Sequence, residues 1–429
     1  MKEIAKKIIV YIITLEAKLL LKRTKPQIIA VTGSVGKTAT KDAIYSVLKA
    51  KTNVRKSEKS FNSDIGVPLT VLGVSNAWSS PVKWMKNIIE GAMWVLFPGK
   101  YPEVLVLEMG VDQPGDMQRH CSWIKPDIVV LTRLPEVPVH VEFFDSPEAV
   151  IEEKLVLVNS LNEEGVLVYN HDDEKINQVV AAVRQKNIGY SRYSQSDFSI
   201  TGDDIAYVDD RPVGFSFLIS HEGEEESVNV TGSLGVQHAY SYAAAMAVGS
   251  LFSMSLHQSA EALKEHQTPA GRMKLVKGLK DTLIVDDTYN SSPIALERAL
   301  LALNEIETEG RKVAVLGDML ELGQYSTEEH EKIGALVGKY CDALVTIGVR
   351  ARKIAEGALE NGMSEKHIWQ YDKVEKAYNE LQSKLQEGDI ILVKASQSIR
   401  AEKLVEEIMI EPDKAAELLT RQSTEWKAK

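Results

Sequence analysis

The sequence predicts an α/β protein of two sheets: a central parallel sheet with an antiparallel excursion, then a second α/β unit. Three observations carry this expectation. A strand, a glycine turn and a helix follow one another in "QIIAVTGSVGKTATKDAIYSVLKA". Short apolar, β-branched runs then recur between helical segments, as in parallel strands covered on both faces. A second α/β rhythm begins after "TPAGRMK", where Pro269 and Gly271 break the chain.

Composition sets the limits. A chain of 429 residues suggests two or three domains, at about 150 residues each. The 44% of hydrophobic residues can fill their cores. A formal net charge of −11 argues against a general nucleic-acid binder, which needs basic surface. No nucleic-acid partner is expected, and any phosphate binding must be local. Cys121 and Cys341 stand far apart without a CxxC pair, so neither a disulfide framework nor a zinc site is indicated. This composition fits a reducing cytoplasm, and the chain is expected to act as a monomer.

Taken in order, residues 1–25 read as an N-terminal amphipathic helix. Its apolar run, 8–15, is followed by Glu16 and Lys18. That falls short of the roughly 20 apolar residues that span a bilayer. No small-residue cleavage site follows, which argues against a secretory signal. With Lys6, Lys7, Lys22, Arg23 and Lys25 nearby, the helix suits peripheral contact with an anionic membrane. It equally suits packing on the body of the protein. Residues 27–31 read as a buried strand and 38–50 as a helix. Strands follow at 103–110, 127–134 and 165–173. Residues 196–235 alternate and are rich in turn residues, as antiparallel hairpins are. "QHAYSYAAAMAVGSLF" reads as a close-packed helix, and "TLIVDDTYN", "KVAVLGDM", "ALVTIG" and "DIILVKAS" as the strands of the second unit. The expected division is 1–25, 26–270 and 271–429, and the charged tail after Pro412 is expected to fray.

The chemistry begins at "VTGSVGKTATKD". Gly33 and Gly36 let backbone N–H groups close on phosphate oxygens. Lys37 supplies a charge. Thr38 opens a helix whose N-terminus favours an anion, and its hydroxyl can reach Mg²⁺. The longer phosphate-loop pattern would put a glycine at Val31, which here ends the strand. Glu108, at the end of an apolar strand, either holds a metal in the crevice or is a solvated strand end. His140 and Lys154 mean little alone, and Asp286 and Asp287 suit either strand-end capping or a polar cleft wall.

Together these segments resemble the Mur ligase family, the ATP-dependent amide ligases of peptidoglycan synthesis. "TGSVGKT" matches that family's shortened loop, T-G-x-x-G-K-T. "FNSDIGVPLTVL" resembles N-N-D-I-G-V-P-x-T-L, and "LEMGVDQPGDM" resembles E-x-G-x-x-x-x-G-[ED]-[IM]. "VHVEFFDSPEAVIEEK" resembles A-H-L-E-x-F-G-S-x-E-x-I-A-x-A-K. In the second half, "PAGRM", "DDTYNSSP", "VLGDMLELG" and "GDIILVKAS" each resemble a family segment.

The resemblance implies a P-loop ATPase-like central domain and a Rossmann-like C-terminal one. It implies an ATP-binding set of Gly33, Ser34, Val35, Gly36, Lys37, Thr38, Asn62, Arg272, Asp287, Tyr289 and Asn290. It implies two Mg²⁺ held by Thr38, Glu108, His140 and a carbamylated Lys154. Lys37, Lys154, His140 and Arg272 become the catalytic groups, and Lys394 and Ser396 handle the incoming amine. The substrates implied are a muramyl peptide and D-Ala-D-Ala, with another, membrane-near carboxylate as the alternative acceptor. Three departures stand out. The loop begins at position 33, so the family's N-terminal UDP-binding domain is expected to be absent. Gln237, His238 and Ser241 replace the family's adenine-side residues. Ala395 and Gln397 replace a Gly and an Arg.

Overall fold

Alternating apolar runs and helices resolve into two sheets in the computed structural model, which describes residues 2–58 and 60–427. The first holds β1 (Gln27–Thr32), β2 (Val54–Lys56), β3 (Val104–Glu108), β4 (Ile128–Leu131), β5 (Val166–Asn170), β6 (Lys186–Ser191), β7 (Phe198–Val208), β8 (Arg211–His221) and β9 (Glu224–Thr231). Their spatial order is β2-β3-β1-β4-β5-β6-β7-β8-β9. Pairing is parallel from β2 to β7 and antiparallel beyond. The expected hairpins are therefore continuous with the main sheet. Asp209 and Asp210, both at positive φ, turn β7 into β8 as a two-residue hairpin loop requires.

The second sheet holds β10 (Lys274–Lys277), β11 (Leu283–Asp286), β12 (Lys312–Gly317), β13 (Ala343–Ile347), β14 (Ile368–Tyr371) and β15 (Ile390–Lys394). Its order is β10-β11-β15-β12-β13-β14, with only the β10–β11 pair antiparallel. Each sheet is covered on both faces by its own apolar clusters. That is why its parallel strands are uniformly apolar rather than alternating.

The helices that shape the site are α1 (Lys2–Thr24), α2 (Lys37–Leu48), α3 (Gly66–Leu72), α4 (Pro81–Leu96), α5 (Asp116–Cys121), α6 (Pro147–Asn159), α7 (Glu174–Val180) and α8 (Gln237–Leu251). On one face of the first sheet, α2 packs against alanine-rich α8, whose small side chains permit the approach. On the other face, α1 buries Ile13, Ala17 and Leu20 in a core shared with α3. Ser80 and Ser146 cap α4 and α6 through their hydroxyls, each followed by a proline at the first helical position, where its missing N–H costs nothing. No described helix is long and apolar enough to cross a membrane.

The tail differs from expectation. Ala415 and Leu419 are buried, and the Arg421 guanidinium donates to the carbonyls of Thr288 and Tyr289 and to Glu402 Oε2. Alternating apolar anchors and a buried arginine fix this segment, so charge alone is a poor guide to fraying.

Candidate active site

The strand order brings the site together. β1 lies between β3 and β4, so the loop after β1 opens into the crevice at the carboxyl ends of three parallel strands. Val31 is in register with Glu108, which fixes that carboxylate beside the loop. Gly33 sits at φ 134°, and a Cβ there would run into Thr132 Oγ1 at the end of β4. Only glycine fits that position. The Lys37 ammonium folds over the loop and donates to Gly33 O at 2.9 Å. Burial pushes its pKa down, with the Glu108 charge opposing and that of Arg272 adding to the shift.

Glu108 is buried and doubly engaged. Its Oε2 accepts from Thr38 Oγ1 at 3.0 Å, and its Oε1 from Asn62 Nδ2 at 3.3 Å. Thr38 Oγ1 also lies 3.0 Å from Ser60 Oγ, which takes a hydrogen bond from Tyr289 Oη at 2.7 Å. That chain runs from the phosphate loop to the second sheet. Arg272 stacks on the Tyr289 ring at 4.2 Å. Ser34, Val35, Lys37, Glu108, Arg272 and Asn290 all line one cleft of about 890 Å³ between the sheets.

A smaller cavity of about 100 Å³ adjoins the loop at Val35 and Gly36 and also touches Arg272 and Asp287. Gln237, His238 and Ser241 line it. Gln237 Oε1 and His238 Nε2 are buried without a hydrogen-bond partner, as they would be in a pocket built for a polar ring. Burial, then His266, push the His238 pKa down to about 4, so its ring is neutral at pH 7. Asn170, Arg133 and Arg298 also line this cavity. Sequence reasoning missed them: Asn170 and Arg133 lie at strand ends without a motif of their own, and Arg298 falls inside the segment that begins "DDTYNSSP", where nothing singles it out.

The two acids at the end of β11 divide their work. Asp286 Oδ1 accepts from the Thr288 amide and hydroxyl at 3.1 and 2.6 Å, a turn cap. Asp287 faces the small cavity and takes a hydrogen bond from the Lys394 ammonium at 2.6 Å, which also donates to Asn290 O at 2.8 Å. Lys394 is thus buried, and it lines the small cavity beside Asp287. Ser396 lines the large cleft, its Oγ accepting from Leu320 N at 2.9 Å.

His140 and Lys154 approach the loop from α6 and the turn before it. His140 Nδ1 lies 2.7 Å from Glu321 Oε2, and Nε2 lies 3.6 Å from Asp112 Oδ1. The histidine lines the cleft. Lys154 is buried just outside it, and its pKa falls to about 7, first through burial and then through the nearby Lys37 charge. Its neighbour Glu153 accepts from the amides of Met117 and Gln118, tying α6 to the start of α5. Sequence reasoning missed Asp112, Glu321 and Ser60 as site residues. Asp112 and Glu321 lie inside segments it had singled out, "GVDQPG" and "DMLELG", but no spacing rule marks them.

Oxygen donors suit Mg²⁺, and the buried Glu108 carboxylate with the Thr38 hydroxyl beside it supplies them next to a phosphate loop. Among the described residues, no three His, Cys, Asp or Glu side chains gather as an all-protein cage. A second groove of about 840 Å³ shares Asn62, Asp112 and Gln113 with the cleft and runs out along α1.

With this geometry stand the comparisons. Residues 31–249 match the Mur ligase middle domain, and residues 271–397 match the Mur ligase, glutamate ligase domain. The UDP-N-acetylmuramoyl-tripeptide–D-alanyl-D-alanine ligase of Bacillus subtilis is 30% identical over 397 residues, 92% of this chain and 79% of that protein. The crystal structure of the MurF ligase of Thermotoga maritima in complex with ADP superposes with a TM-score of 0.76. Identity there is 27%, over 95% of this chain and 84% of that one. The folylpolyglutamate synthase of Mycobacterium tuberculosis shares the fold alone, at 14% identity and a TM-score of 0.64, over 90% of this chain and 93% of that one. A shortened phosphate loop facing a buried glutamate, an arginine reaching across from a second sheet, and two domain matches over most of the chain lead to one conclusion: the chain belongs to the Mur ligase family of ATP-dependent ligases.

Proposed function

We propose that the chain joins D-Ala-D-Ala to the carboxylate of a muramyl peptide with ATP, through an acyl phosphate. The observation that carries this reading is the cleft in which Lys37, Thr38, Glu108 and Arg272 converge, in a chain with a 30% identical relative of that name. The division near residue 270 is supported by the two matched segments and by each sheet being complete on one side of it.

In this reading the acceptor carboxylate attacks the γ-phosphorus and ADP leaves. The amine of the second substrate then attacks the acyl carbon, losing a proton, and phosphate departs. The protein's share is charge and position. The loop amides after Gly33 and the Lys37 ammonium hold the phosphates. The small cavity takes the base, with Gln237 and the neutral His238 as its polar partners, and Asp287, oriented by Lys394, faces the ribose side. Arg272, propped on Tyr289, comes from the other sheet, so closure of the two units assembles the site and excludes water. Thr38 and Glu108 would hold one Mg²⁺, and His140 with a Lys154 carbamate a second; bound there, the ions neutralise charge on the transferring phosphoryl.

Lys154's surroundings support the carbamate that the family resemblance implies. A buried ammonium beside Lys37 is disfavoured, and the neutral amine it leaves can add CO₂, releasing a proton and becoming an anion that suits metal. A second acceptor is favoured by one feature: the groove along α1 opens beside the apolar residues Tyr11 and Leu15, which suits a lipid-anchored carboxylate.

ADP release measured with muramyl tripeptide, D-Ala-D-Ala or both tests the reading. Release should require both, and Lys37→Ala should abolish it. Normal turnover by Lys37→Ala would overturn the site. Stimulation only by another carboxylate would transfer the proposal to the second acceptor.

A further inference from the structure

Apolar side chains on the surface are concentrated in one place. Of the 18 large apolar residues exposed among those described, 12 belong to α1 or to residues 78–97. On α1 they are Ile4, Ile8, Tyr11, Leu15 and Leu19; on α4 they are Val82, Met85, Ile89, Met93 and Leu96. Both sets recur at three- and four-residue spacing, so each is a single stripe along its helix. The opposite faces are occupied. Ile13, Ala17 and Leu20 of α1, and Trp84, Ile88 and Val95 of α4, pack into the same core.

The two helices lie side by side and run the same way. Arg23 near the end of α1 donates to Val95 O near the end of α4 at 2.7 Å. One turn or more earlier, the Glu16 carboxylate abuts Gly91, where a Cβ would collide with it. The two stripes, pointing away from one core, therefore form one outward apolar face, with Phe97 beyond its end exposed to 69%.

Charge separates the candidate occupants. Residues 1–25 carry seven basic and two acidic side chains, and residues 81–100 three basic and one acidic, in a chain of net charge −11. A second copy would bring two basic faces together. An anionic lipid surface would meet both the apolar stripes and the basic groups. Lys7, Lys18 and Lys22 follow the α1 stripe at helical spacing, placed to reach headgroups while the apolar side chains enter the acyl boundary.

We propose that the outer faces of α1 and α4 form a docking surface for an anionic phospholipid bilayer, on which the chain lies without spanning it. Tyr11 and Leu15 belong both to the apolar face and to the rim of the groove that leads to the cleft. Docking thus holds the groove's mouth at the lipid–water boundary. The proposal stands whichever carboxylate the groove accepts.

The full chain is mixed with vesicles of phosphatidylglycerol and phosphatidylcholine, or of phosphatidylcholine alone, and sedimented. The chain should pellet with the anionic vesicles and be released by salt. Ile8→Glu combined with Ile89→Glu should weaken partitioning by about tenfold or more while leaving the thermal melt unchanged, since both side chains are exposed. Equal partitioning of the variant, or no pelleting with anionic vesicles, would overturn the proposal. So would a concentration-dependent dimer in analytical ultracentrifugation that the double substitution abolishes without any vesicle binding. That result would assign the face to a second copy.

Discussion

At the scale of single residues, Lys154 is the group whose chemistry departs furthest from its type. A lysine on a helix ordinarily holds its proton to above pH 10, but burial and the Lys37 charge bring this one to about 7. Its neutral, CO₂-reactive fraction grows as pH rises through 7 and shrinks below it. Loading the protein with ¹³C-bicarbonate should give a carbamate resonance at pH 8 that fades toward pH 6 and is absent from Lys154→Ala. Lys154→Arg, unable to lose its proton, should lose about 100-fold or more in turnover. A resonance unchanged in Lys154→Ala would remove the carbamate from this lysine. The residue level is also where the sequence is most and least legible. Lys37 and Thr38 are readable from the glycine loop and Glu108 from the end of an apolar strand, and the β1–β3 register sets them side by side. Ser60, Asp112 and Glu321 are not, because each acts through a neighbour that only the fold supplies.

Among the elements, the packing of α1 on α4 contains a stored cost. Glu16 is buried between them, and its Oε2 has no hydrogen-bond partner. Burial raises its pKa from 4.5 to about 7. A carboxyl with a raised folded-state pKa favours folding most in its protonated form. The stability it allows is therefore full below about pH 4.5 and is lost as pH rises through 7. Glu16→Gln keeps the shape and removes the charge. It should raise the melting temperature at pH 8, by an amount equivalent to at most about 3 kcal/mol, and change it little at pH 4.5. An equal gain at both pH values would mean that ionisation is not the cause. The parallel strands are legible as short apolar, β-branched runs and α2 by its helical spacing, because each packs into the core of its own sheet. The outward stripe of α4 is not, since periodicity gives the width of an apolar face but not the side on which the core lies. The hairpin sheet is half legible. Its alternation marks antiparallel strands, but their continuity with the parallel sheet rests on the short β6–β7 pairing of Tyr190 with Phe198 and Ser191 with Ser199.

In the whole molecule, the two sheets meet through Tyr289. Its hydroxyl reaches Ser60 beside the phosphate loop, its ring supports Arg272, and its carbonyl is held by Arg421 of the tail. The tail, charged and without a motif, gives no sign in sequence of this role; it is set by one buried arginine meeting two carbonyls and Glu402. The arrangement allows two substitutions to be told apart. Tyr289→Phe removes a single hydrogen bond between the units and keeps the ring under Arg272. It should raise the KM for ATP by a few-fold, the value of one neutral hydrogen bond of about 1 kcal/mol, with kcat nearly unchanged. Arg421→Ala leaves Glu402, itself buried, with Arg400 as its remaining cationic partner and frees the strap behind Tyr289. It should cost about 1–3 kcal/mol of stability and lower kcat as well, because Arg272 loses its support at the moment of closure. Initial-rate kinetics with denaturant unfolding on both variants checks this. If Arg421→Ala were to lose stability alone, with KM and kcat intact, the tail would be a structural strap and Tyr289 would be held by the second sheet without it.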